Sequence, residues 1–88
     1  MIENKVKIVN KLGLHARPAA QFVKITTKYQ CSVFVEKDGF EINAKSIMGV
    51  MMLAAEHGSY LTIKCDGADE DLCLSELTEL INNKFNEE

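Results

Sequence analysis

Tryptophan is absent from this 88-residue sequence, and only four phenylalanines and two tyrosines supply aromatic surface. A nucleic-acid binder normally offers stacking platforms within a dense basic field. With a formal net charge of -3 the chain offers neither, and no nucleic-acid partner is expected. Long apolar runs are missing too: the longest, Ile47 to Ala55, is nine residues, where a bilayer needs about 20. The opening MIENKVKIVNK alternates like a strand and has no signal-peptide pattern. The expectation is a cytoplasmic protein without membrane insertion. Cysteine is sparse and odd in number, Cys31, Cys65 and Cys73, with no C-x-x-C pair. That excludes a disulfide framework and the usual zinc knuckles. A metal set of Cys31, His57, Cys65 and Cys73 matches no common zinc spacing, so no metal is expected. Cys31 and Cys65 read as small core residues. Repeats, linkers and low-complexity segments are lacking as well, which makes residues 1–88 one domain. Neither paired carboxylates, a hydrolase triad nor a glycine-rich nucleotide loop appears.

What is present is an ordinary globular composition, 47% hydrophobic and 26% charged. Charge is unevenly spread: Lys5, Lys7, Lys11, Arg17, Lys24 and Lys28 stand early, while the last third is acidic. A modest basic region suits a phosphate or an acidic protein partner. Val6 and Ile8 alternate with lysines as in a strand. From Ala16 to about Lys28, Ala19, Phe22, Val23 and Thr26 recur at helical spacing, and Pro18 falls in the first turn, where a missing N–H is harmless. Cys31, Val33 and Val35 alternate with Ser32, Phe34 and Glu36 up to Asp38-Gly39, a strong hairpin signal, followed by Phe40 to Ile42. Ser46 reads as the N-cap of a short methionine-rich helix weakened by Gly49. Leu61, Ile63 and Cys65 form a fourth strand. Asp69, Glu70 and Asp71 open a last helix and Lys84 lies near its end; Leu77, Leu80 and Ile81 should face the core. The order βαββαβα predicts an α/β (α+β) two-layer sandwich: an open-faced, largely antiparallel four-stranded sheet covered by three helices.

Gly13-Leu14-His15-Ala16-Arg17-Pro18 places an imidazole where a loop becomes a helix. Free N–H groups there, including that of Ala16, and the positive end of the dipole favour an anion. Arg17 can reach the same anion. Neutral imidazole is a nucleophile at physiological pH, so a phosphoryl group could move onto the ring and stay exposed for transfer. A histidine at this position can equally be a cap or a loop residue, and spacing alone does not choose.

The stretch GLHARPAAQFV at 13–23, together with KSIMGVM at 45–51, resembles the HPr family, the histidine-containing phosphocarriers of the bacterial phosphoenolpyruvate-dependent sugar phosphotransferase system. The resemblance runs the whole chain. It implies that His15 accepts a phosphoryl group at Nδ1 from phosphorylated enzyme I and passes it to IIA domains of sugar permeases. Arg17 would neutralise the group, and Pro18 would set the helix start. The protein would then be a transfer intermediate, not a self-contained enzyme, and a monomer without cofactor or metal. Ser46 matches the serine that an HPr kinase/phosphorylase modifies in many Gram-positive relatives, and a phosphate there should weaken transfer through His15. Ile47, Met48, Met51 and Met52 are expected to divide between core filling and an adaptable docking surface, since on a short helix not every one can point inward, and Ile47, Met48 and Met51 match the family's partner-contact positions. Two residues depart from the family pattern, Met52 where many relatives have serine and Ala54 where many have glycine. His57 has no counterpart of known function and reads as a solvated loop residue. An alternative function is a regulatory binding module that signals through its phosphorylation state without serving sugar uptake.

Overall fold

The alternation at the amino end forms the strand it predicts. In the computed structural model, which describes residues 1–87, β1 spans Ile2–Lys7, with Val6 buried between exposed lysines. The helix α1 follows at Ala16–Thr26, burying Pro18, Ala19, Phe22, Val23 and Thr26. It stops two residues before the expected Lys28 because hydroxyls compete for its last carbonyls. Thr26 and Thr27 Oγ1 both donate to the Val23 carbonyl, at 3.0 and 2.9 Å, and Thr26 also donates to the Ala44 carbonyl at 2.7 Å.

The strands β2 (Ser32–Lys37) and β3 (Phe40–Asn43) are joined by Asp38 and Gly39, both at positive φ (52° and 84°). Positive φ at both central residues is the turn geometry that matches strand twist. After α2 (Ile47–Met52), β4 (Tyr60–Asp66) returns and α3 (Glu70–Asn82) closes the layer. The four strands run antiparallel in the order β1-β4-β2-β3. Val6 faces Leu61, Val35 faces Ile63 and Val33 faces Cys65 across the ladders, all six buried. The helices cover that face, with Phe22, Leu77, Leu80 and Ile81 completing the core. The opposite face carries no helix: Lys64 bridges Glu36 and Glu41 beside Phe34, and Lys5 and Lys7 lie over the Tyr60 ring.

The structure differs from the expectation at the carboxyl end. Lys84 is not in the last turn of α3. It begins a short turn, Lys84–Asn86, in which all three residues are left-handed (φ 57°, 54° and 60°). Each such non-glycine residue costs about 1–2 kcal/mol. Burial of Phe85, 1% exposed, recovers roughly 1.5–3 kcal/mol of the total. Asp69 also acts otherwise than on its own helix: its carboxylate accepts from the Gln30 and Cys31 amides at 2.8 and 2.9 Å, which holds its pKa below the usual carboxylate range. Among the described residues no helix is long and apolar enough to cross a membrane.

Candidate functional site

The loop ahead of α1 is fixed by one glycine and one buried amide. Gly13 has φ +73°, and a Cβ there would stand 2.6 Å from the Ala55 carbonyl oxygen; no other residue fits so strained and close an approach. Leu14 N–H donates to that same carbonyl at 2.8 Å. Asn10, fully buried, donates from Nδ2 to the Gly13 carbonyl at 2.8 Å. The loop is thus pinned on both sides of the turn that delivers His15.

His15 is the N-cap residue of α1, with extended backbone (φ -81°, ψ -172°) and no side-chain cap hydrogen bond. Its carbonyl takes the first helical bond, from Ala19 N–H at 2.9 Å. The Ala16 and Arg17 amides precede that bond and have no intrahelical acceptor, and Pro18 has no N–H to satisfy. Two donors therefore point out of the helix start beside the imidazole.

The ring itself is partly exposed and turned toward the carboxyl end of the chain. His15 Nε2 lies 3.3 Å from Glu87 Oε2, and the same carboxylate oxygen accepts from Asn10 Nδ2 at 2.9 Å. The Asn10 hydrogen bond, then the His15 contact and the Arg17 charge, hold the Glu87 carboxyl below its ordinary pKa. His15, Arg17, Glu87, Lys11 and Leu12 line one surface depression of about 430 Å³. In the neutral tautomer that donates Nε2–H to this carboxylate, the ring's lone pair is on Nδ1.

Ser46 and the apolar residues lie on α2, which packs against α1. Ser46 is exposed and its Oγ accepts from Gly49 N–H at 3.2 Å. Gly49 is there for space: a Cβ would meet the Asn43 carbonyl oxygen at 3.0 Å. Of the methionine-rich stretch only Val50 is buried within the helix. Ile47 (43%), Met48 (75%), Met51 (43%) and Met52 (63%) are all exposed, so the core-filling reading of these side chains fails. Leu12, 70% exposed, adds an apolar side chain on the His15 loop itself. Ala54, the departure from glycine, is left-handed at φ 50°.

Sequence reasoning missed Asn10, Leu12 and Glu87. Leu12 and Asn10 carry no local signal beyond a loop, and Glu87 is 72 residues from His15, so only the tertiary fold could reveal it. His57 is exposed and lines a neighbouring depression with Val9, Lys11 and Lys84. It takes no part in a cysteine site. Cys31, Cys65 and Cys73 do converge, buried, with their sulfurs within 4.8 Å of one another. Burial raises all three thiol pKa values, that of Cys65 to about 11.

A family model described as "PTS HPr component phosphorylation site" matches residues 2–83. The chain belongs to the HPr family of phosphocarriers. Phosphocarrier protein HPr of Xylella fastidiosa is 46% identical over 88 residues, covering 100% of this chain and 99% of that one. The HPr-like protein Crh of Halalkalibacterium halodurans is 43% identical, covering 96% of this chain and all of its own. The crystal structure of HPr-C-His from Thermoanaerobacter tengcongensis superposes with a TM-score of 0.96 at 45% identity, covering 100% of this chain and 99% of that one. An HPr dimer from the same organism gives 0.79 at 45% identity, covering 99% and 100%. Membership in this family implies phosphotransfer within the phosphotransferase system, and the open-faced antiparallel sheet with three helices is the fold of these relatives.

Proposed function

We propose that the protein carries a phosphoryl group on His15 Nδ1, taken from phosphorylated enzyme I and delivered to IIA domains of sugar permeases. The observation that carries this reading is the orientation of the ring. Glu87 lies against Nε2; in the neutral tautomer that keeps its proton on Nε2 the lone pair is on Nδ1, on a ring that stands at the α1 start, where the first amides have no intrahelical acceptor. In the transfer the Nδ1 lone pair forms a bond to phosphorus while the phosphorus–nitrogen bond of the donor breaks, and the Nε2 proton remains on the ring. Charge on the transferring oxygens meets the Ala16 and Arg17 amides, the helix dipole and the Arg17 guanidinium. Pro18 holds the first turn without competing for the anion. No step requires a metal or nucleotide of the protein's own.

The exposed Ile47, Met48 and Met51 form the partner surface. Methionine adapts to several partners without a fixed rotamer, which suits a carrier that meets both enzyme I and IIA domains. Ser46, at the entry to that surface, is the regulatory position and the target of an HPr kinase/phosphorylase. A phosphate there lies well with respect to the α2 dipole but opposes an acidic partner. The protein works as a cytoplasmic monomer, with a dimer of the kind solved for the Thermoanaerobacter relative as the alternative assembly.

The test is intact-mass spectrometry after incubation with phosphoenolpyruvate and catalytic enzyme I. One acid-labile phosphoryl group is expected on the wild type and on Ser46→Ala, and none on His15→Ala. An unmodified wild type beside an active enzyme I would overturn the carrier reading. It would favour instead a regulatory module acting through Ser46, the role that an exposed serine N-cap leaves open.

A further inference from the structure

The three cysteines come from three separate elements. Cys31 ends the loop entering β2, Cys65 lies near the end of β4, and Cys73 sits in the first half of α3. They are 2%, 0% and 0% exposed. The arrangement is held from outside: Asp69 binds the Cys31 amide while its own carbonyl accepts from Cys73 N–H at 3.1 Å. Gly67 is packed so tightly that a Cβ would lie 2.7 Å from Cys31 Cα and Cβ. A pyramidal three-coordinate atom about 2.3 Å from each sulfur, close to the length of a zinc–thiolate bond, spaces three sulfurs about 3.5 Å apart. Since the sulfurs already lie within 4.8 Å of one another, closing on such an atom needs shifts of about 1 Å or less.

We propose that Cys31, Cys65 and Cys73 form a trithiol site for a trivalent thiophilic metalloid, with arsenous acid as the ligand. The deciding quantity is net charge. Three thiolates around a divalent ion leave one negative charge in a hydrophobic core, a heavy cost. Zinc also wants a fourth ligand, and among the described residues the group holds only these three. Arsenous acid instead exchanges its three hydroxides for three sulfurs. Three As–O bonds break, three As–S bonds form, and the three thiol protons leave with the hydroxides as water. Nothing is oxidised or reduced, and the product is neutral. The site is closed in the folded state, so entry requires α3 to open locally from the sheet, and capture is slow. Once bound, the arsenic ties the β2 entry, β4 and α3 together.

The experiment uses the full chain, reduced with a phosphine so that no competing thiol is present, and incubated with arsenite under native conditions. The expected results are a single adduct of one arsenic less three hydrogens, loss of all three titratable thiols, and a Tm raised by about 5 °C or more. Cys73→Ala and Cys31→Ala, reduced to two thiols, should each bind at least about 100-fold more weakly. Should either variant fold poorly, the wild-type mass and Tm decide alone. An adduct that forms only in denaturant, an adduct without a rise in Tm, or cadmium binding as tightly as arsenite overturns the proposal.

Discussion

The starts of α1 and α2 use the same local backbone for different ends. His15 and Ser46 are both extended N-cap residues. Ser46 spends its hydroxyl on the Gly49 amide, so the end of α2 is closed by its own side chain. His15 makes no such bond and turns its ring to Glu87 instead, leaving first-turn amides open. The flanking cations differ likewise. Lys45 is tied down by its ammonium to the Tyr29 carbonyl at 2.8 Å, whereas Arg17 is exposed on the rim of the His15 depression. One helix start is finished as structure; the other is left unfinished and is therefore available for chemistry.

The largest expected break in this contrast is at Arg17. Arg17→Gln should slow phosphoryl transfer to His15 about 100-fold, as loss of one preorganised charge partner does, measured by rapid-quench kinetics with phosphorylated enzyme I. Lys45→Gln should leave that rate within about twofold. Next come the caps themselves. Ser46→Ala should lose about 1 kcal/mol in urea unfolding, and His15→Ser should gain up to about 1 kcal/mol, because a serine would finish the end that histidine leaves open. An equal loss at both positions would mean that His15 caps after all. At the rear of α2, Ala54→Gly should stabilise by about 1 kcal/mol, since the residue is left-handed where glycine is at ease.

The smallest effect concerns pH. Glu87 has a depressed carboxyl pKa, chiefly through Asn10 and then His15. Its contribution to stability is present above the unfolded carboxylate value and is lost as pH falls through the lower folded one. Glu87→Gln should therefore flatten a small part of the decline in urea midpoint between about pH 6 and about pH 3. A slope identical to wild type would show that Glu87 does not favour its charged form in the fold.

Most of the fold was legible because its signals are local. The period-two strands, the Asp38-Gly39 turn and the 3.6-residue face of α1 each announce themselves within a few residues. The end of α1 falls two residues short of its periodicity, since propensity does not reveal that Thr26 and Thr27 bond back to Val23. The left-handed turn at Lys84–Asn86 was illegible: none of its residues is glycine, and the burial of Phe85 that accompanies it is a tertiary effect. The same division runs through the site. Gly13 to Pro18 is a contiguous motif and could be read, but Asn10 and Glu87 join it only when the sheet and α3 are in place. The cysteines show the converse. Their spacing matches no common zinc pattern, yet three elements carry them to one point.

Glu87 reaches His15 only by way of that turn, and the turn is held by Phe85 in the core behind α3. During synthesis the histidine emerges early and waits for 72 further residues before a carboxylate stands beside it. An unfinished or unravelled copy has the imidazole but not its orientation. The contact between His15 and Glu87 is thus a tertiary one: the ring is supplied by a local motif, and its partner only by the turn that Phe85 anchors.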